Sequence, residues 1–135
     1  MRYIPPFAYL KSKATTDTVN GQTMVHMSHD ELVEMLRSII INMDMDETWY
    51  MQRYPDVAEA VRAGTFKSAK DHFVNNGYFE GRMPFPIQVD ERYYLSRYPE
   101  LAESIRREVI ASGQQHFDEN GYLEGRRPYD IKTTS

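Results

Sequence analysis

The sequence predicts an all-α protein: two tandem helical repeats of about 44 residues, capped by an N-terminal amphipathic helix and preceded by an extended or hairpin arm. Three observations predict it. Sliding the chain by 44 positions aligns Asp46–Phe85 with Asp90–Tyr129 without a gap, and 19 of 40 positions are identical, which marks an internal duplication. Both copies carry Pro, Ser and Asn-Gly where helices characteristically start and stop. Ahead of them lies an apolar stripe at helical spacing. The expected organisation is an arm at 1–27, a capping helix at 28–45, repeats at 46–89 and 90–131, and a frayed tail at 132–135.

In the arm, Pro5-Pro6 favours extended backbone, and Asn20-Gly21 between Thr- and Val-containing flanks carries the signature of a tight hairpin turn. A short β-hairpin and a disordered or partner-bound arm are both open readings. Ser28-His29-Asp30-Glu31 has the spacing of a capping box. The helix it opens, about residues 30–42, places Leu32, Met35, Leu36, Ile39 and Ile40 on one face to cover the end of the repeats.

Each repeat begins at an acidic cap, Asp46 or Asp90, whose carboxylate can accept orphan first-turn amides. A short helix follows until Pro55 or Pro99, where the ring removes a donor and suits the first position of a new helix. That second helix, over 55–63 and 99–107, aligns Val57, Ala58 and Val61 with Leu101, Ala102 and Ile105. Ser68 and Ser112 start a third, carrying His72-Phe73 and His116-Phe117. Gly77 and Gly121 are expected to stop it in the left-handed conformation that glycine adopts at little cost. A Glu-Gly-Arg-x-Pro turn leads out, with Gly81 and Gly125 expected at unusual backbone angles.

Composition narrows function. A formal charge of -4 and a pI near 5.5 leave no cationic stripe for phosphates, so nucleic acid is not the expected partner. The absence of cysteine excludes disulfides, thiolate nucleophiles and Cys-based zinc sites. His26 and His29 straddle a helix start, which makes them poor candidates for a converging metal site. Neither a metal nor a cofactor is expected. The N-terminus lacks a signal-peptide run, and Ile39-Ile40-Ile41, the longest apolar cluster, is too short for a membrane span; a cytoplasmic protein is expected.

Nothing points to catalysis. One His per repeat comes without a partner nucleophile, and phosphate loops, nucleophile elbows and H-E-x-x-H are absent. His72, Glu80 and Arg82, with His116, Glu124 and Arg126, are read as structural: imidazole, carboxylate and guanidinium fixing each turn. Pro55, Pro99, Gly77 and Gly121 belong to the same structural set. Because Tyr, Arg and Glu also build sugar sites, a glycan or sugar nucleotide is the alternative ligand. Phe7, Tyr9, Leu10, Met35 and Ile39 are the candidate interface. They are apolar residues that a short repeat array leaves uncovered, and they predict docking to a protein partner or to a second copy as a homodimer.

The pattern Tyr-x-x-x-Tyr-Pro-[Asp/Glu]-[Val/Leu]-Ala … His-Phe-x-x-x-Gly-Tyr-x-Glu-Gly-Arg-x-Pro, over Asp46–Tyr129, resembles a short helical repeat of bacterial proteins. That repeat is associated with polysaccharide-related glycosyltransferases and large secreted or multidomain chains, as an accessory unit. The resemblance implies a helical fold, a bacterial origin and an accessory role. It supplies no catalytic residues, and these 135 residues depart from that setting in that no enzyme domain is read among them.

Overall fold

The computed structural model describes residues 2–132; of the expected frayed tail, residues 133–135 lie outside them. The described residues form eight α-helices, two π-helical turns and one two-stranded antiparallel sheet, about 50% helical. The all-α expectation is therefore corrected to a mixed fold. The correction comes from the arm. Strands β1 (Thr15–Val19) and β2 (Gln22–His26) pair with Val19 opposite Gln22 and Thr15 opposite His26. Asn20 and Gly21 both have positive φ, 50° and 78°, the primed-turn geometry whose twist matches that of paired strands. Before the hairpin, helix α1 (Phe7–Ser12) starts directly after Pro6, whose carbonyl accepts from Tyr9 and Leu10. The extended reading of the arm thus holds only up to Pro6. Proline at this boundary is tolerated because the first helical amides have no partner inside the helix.

The chain divides into two units, residues 1–85 and 86–135. In the first, α2 (His29–Ile40) is capped by Ser28, whose hydroxyl accepts from Glu31 N at 3.0 Å. Beyond it, Ile40, Met43 and Met45 pack on a core of Tyr50, Val57, Ala69 and Phe73. Arg37 fixes α2 further: it donates to Asn75 O at 3.1 Å and lies over the Phe79 ring. The arm is tied down at its start, where Tyr3 and Asn42 exchange two hydrogen bonds and Arg2 pairs with Asp44.

The first repeat is α3 (Glu47–Arg53), α4 (Pro55–Arg62) and α5 (Ala69–His72), followed by a π-helical turn, Phe73–Gly77. The second is α6 (Glu91–Arg97), α7 (Pro99–Arg106) and α8 (Gly113–His116), followed by the turn Phe117–Gly121. Asp46, Ser68, Asp90 and Ser112 each cap with their side chains, accepting from the amide three residues on. Tyr50, Val57 and Phe73 fill one interior, and Tyr94, Leu101 and Phe117 the other. Both repeats close on themselves, Asp46 N donating to Pro84 O and Asp90 N to Pro128 O.

The expectation that Gly77 and Gly121 adopt left-handed backbone is overturned. Positive-φ glycines are Gly21, Gly64, Gly81 and Gly125; Gly77 and Gly121 end the π turns without it. Their requirement is steric. A Cβ on Gly77 would overlap the Tyr50 hydroxyl, and one on Gly121 would overlap that of Tyr94.

Candidate functional site

Each repeat brings its polar residues into one connected relay. The chain enters α4 through Pro55, which sets Asp56 in the first turn, and leaves the π turn through Gly81 at φ 81°. That left-handed step returns Arg82 N to Gly77 O at 2.9 Å and swings the guanidinium across the repeat. Arg82 then holds both oxygens of Asp56, at 2.9 and 2.8 Å, while its Nε donates to Glu80 at 3.1 Å. Its Cζ sits 4.9 Å from the Tyr54 ring centroid. The Tyr54 hydroxyl in turn accepts from Met83 N at 3.0 Å, pinning the exit of the turn.

On the inner side, the Tyr50 hydroxyl lies 2.9 Å from His72 Nδ1, and His72 Nε2 is 3.8 Å from Glu80 Oε1. Burial pushes the Tyr50 phenol well above its usual range and, with the Arg82 charge next in size, lowers His72 below its own. At neutral pH the phenol therefore keeps its proton and the ring is neutral. The assignment that satisfies both has Tyr50 donating to Nδ1 and the imidazole proton on Nε2, facing Glu80. Hydrogen bonding to Arg82 holds the Asp56 carboxyl below its usual range.

Repeat 2 rebuilds the relay. Tyr94 Oη is 2.8 Å from His116 Nδ1, Nε2 is 3.7 Å from Glu124, and Arg126 bridges Glu124 at 3.2 Å and Glu100 at 2.6 Å. Arg126 stacks on Tyr98, whose hydroxyl accepts from Arg127 N at 2.8 Å. Burial raises the Tyr94 phenol to about 12.

All the residues singled out in the repeats from the sequence fall in or beside these relays: His72, Glu80 and Arg82, His116, Glu124 and Arg126 within them, and Pro55, Pro99, Gly77 and Gly121 setting the backbone around them. Reading the sequence missed the other half, Tyr50, Tyr54 and Asp56 with Tyr94, Tyr98 and Glu100. The signal was present, since the tyrosines are identical between copies and the acids differ by one methylene. Glu47 and Glu91 were missed as well. Each accepts from backbone amides at the start of α5 or α8.

The order Tyr–His–Glu has the outline of a nucleophile, base and orienting acid. Access differs from that of a working site. Tyr50 and Tyr94 are fully buried, and each hydroxyl is backed against a glycine. Among the described residues no group of three or more His, Asp or Glu is placed to hold a metal ion. His26 instead pairs with Asp17 at 3.1 Å.

The candidate interface residues gather elsewhere. Phe7 and Leu10 of α1 and Met35 and Ile39 of α2 line one groove of about 600 Å³ with Val25 and Met27. Tyr9 faces a neighbouring, more polar recess with Lys13, Glu31 and Glu34. No helix among the described residues is long and apolar enough to cross a membrane. No family model matches the chain, and no curated protein or solved structure is significantly similar to it.

Proposed function

We propose that the chain is a non-catalytic scaffold module that acts by binding protein, first of all a second copy of itself. One observation carries this reading: the polar groups of the repeats are engaged with one another, while α1, the hairpin and α2 together line an apolar groove of about 600 Å³. Buried phenols backed by glycine offer no entry for a substrate. The same engagement weighs against the carbohydrate alternative. Arg82 and Arg126 are stacked on tyrosine and bound to carboxylates, and so are not free to hold sugar hydroxyls. The groove has the opposite character, apolar and lined by adaptable methionine.

Light scattering from low to high micromolar concentration tests the reading. A dimer is expected, and a monomer throughout overturns self-association. Removal of residues 1–22 is expected to leave the repeats helical by circular dichroism while lowering association. Loss of helicity on that deletion would place the arm in the core.

A further inference from the structure

The groove between α1, β2 and α2 has a built-in preference for its occupant. We propose that it receives a second copy of this chain, groove against groove about a two-fold axis, with the basic α1 of each copy facing the acidic start of the other's α2. This deepens the self-association reading and rests on it.

Charge selects the occupant. Residues 7–13 carry Lys11 and Lys13 and no acid, whereas α2 opens with Asp30 and Glu31, followed by Glu34. Lys11 lines the apolar groove, and Glu31 and Glu34 line the adjoining recess that shares Leu10 and Met35 with it. A partner of uniform charge meets repulsion at one side, whereas a two-fold copy places basic against acidic at both sides. Lys11 and Glu31 have no ion-pair partner among the described residues, so both remain able to make such a contact.

The hairpin supplies the second argument. All ten of its strand residues are exposed, and the sheet stops at two strands. A two-stranded ribbon is marginal in water unless a face is covered. Thr16, Thr23 and Val25 share the face that lines the groove, with residues of α1 and α2 and with Ala14 and Met27. Phe7, 77% exposed at the rim, is an aromatic placed to enter a facing groove. Pairing two copies removes Phe7 and Val25 from water and braces the hairpin in one step.

The test uses the full chain in sedimentation equilibrium, with circular dichroism on every variant. Ile39→Glu and Val25→Glu are each expected to weaken dimerisation by ~10-fold or more, with the helical signal retained. Leu123→Glu changes a still more exposed apolar residue of the second unit and is expected to leave the dimer intact. Lys11→Glu is expected to weaken it and Lys11→Glu with Glu31→Lys to restore it. A dimer indifferent to Ile39→Glu and Val25→Glu overturns this surface while leaving self-association standing. A wild-type monomer at every concentration overturns both.

Discussion

On the outer side of the first repeat's π turn, Val74 is buried and Phe79 lies under the Arg37 guanidinium, 5.4 Å from ring centroid to Cζ. The same positions of the second repeat are Asp118, exposed, and Leu123, 70% exposed. The inner relay nevertheless recurs in both, from Tyr–His to Arg–carboxylate, its shared distances agreeing within about 0.3 Å, although Arg82 holds both oxygens of Asp56 and Arg126 one of Glu100. The relay holds each repeat together from within, while Val74 and Phe79, against Asp118 and Leu123, differ with what covers each repeat from outside. In the first unit that cover is the segment containing α2. In the second, the core includes Val89, whose amide donates to Gln114.

Two backbone positions separate the copies further. Gly64 closes α4 at φ 80°, and its counterpart Glu108 closes α7 at φ 61° although it carries a side chain. Ala69 opens α5, whereas Gly113 opens α8 because a Cβ there would press on Glu91 Oε2 at 2.7 Å and on Tyr94. Glu91 accordingly accepts two amides, from Gly113 and Gln114, where Glu47 accepts one, from Lys70.

The strongest way to break the equivalence is at the glycines behind the tyrosines. Gly77→Ala or Gly121→Ala drives a methyl into a buried phenol and is expected to cost about 3 kcal/mol in urea unfolding. Adding Tyr50→Phe to Gly77→Ala removes the atom struck, so the pair is expected to cost clearly less than the two singly. Additivity would show that the glycine acts through backbone freedom instead.

Tyr50→Phe alone leaves His72 Nδ1 buried without its donor and is expected to cost about 2 kcal/mol. Tyr94→Phe is expected to cost less, because His116 is the more exposed histidine, its side chain 12% accessible against 7%. Equal losses would remove the distinction between the two cores.

Titration sharpens the comparison in smaller steps. The His72 pKa is lowered from 6.5, so the unfolded chain takes up its proton first; that stability is complete above pH 6.5 and declines as pH falls toward the folded value. Asp56 and Glu100, lowered by their arginines, contribute above their ordinary values of 3.8 and 4.5 and lose that contribution as pH falls through their folded values. At the alkaline end the sign reverses for Tyr94. Its phenol, raised to about 12, loses stability as pH rises from 10 toward that value. Thermal midpoints followed across pH are expected to decline at both ends, with the decline just below pH 6.5 abolished by His72→Gln.

The smallest effect is expected at the strained residue. Glu108→Gly relieves a left-handed non-glycine and is expected to stabilise the second unit by about 1 kcal/mol. Gly64→Glu, its mirror in the first repeat, is expected to destabilise by a similar amount. A loss of stability with Glu108→Gly would mean that the Glu108 side chain makes up for its backbone.

Much of this was legible in the residues because it is local. Caps act within three residues, so Ser28, Asp46, Ser68, Asp90 and Ser112 announced their helices. Pro55 and Pro99 announced the breaks, Asn20-Gly21 supplied the turn of the hairpin, and the 44-residue offset announced the duplication. The relays were half legible: their histidines, glutamates and arginines lie close together in sequence, but the tyrosines that meet the histidines are 22 residues away and the Asp56–Arg82 pair spans 26. Such pairings exist only after three helices have packed. The same holds for Gly77 and Gly121. An Asn-Gly pair at a helix end resembles a left-handed stop, and only the tertiary structure, by pressing a buried phenol against each glycine, decided that they are needed for space rather than for backbone angle.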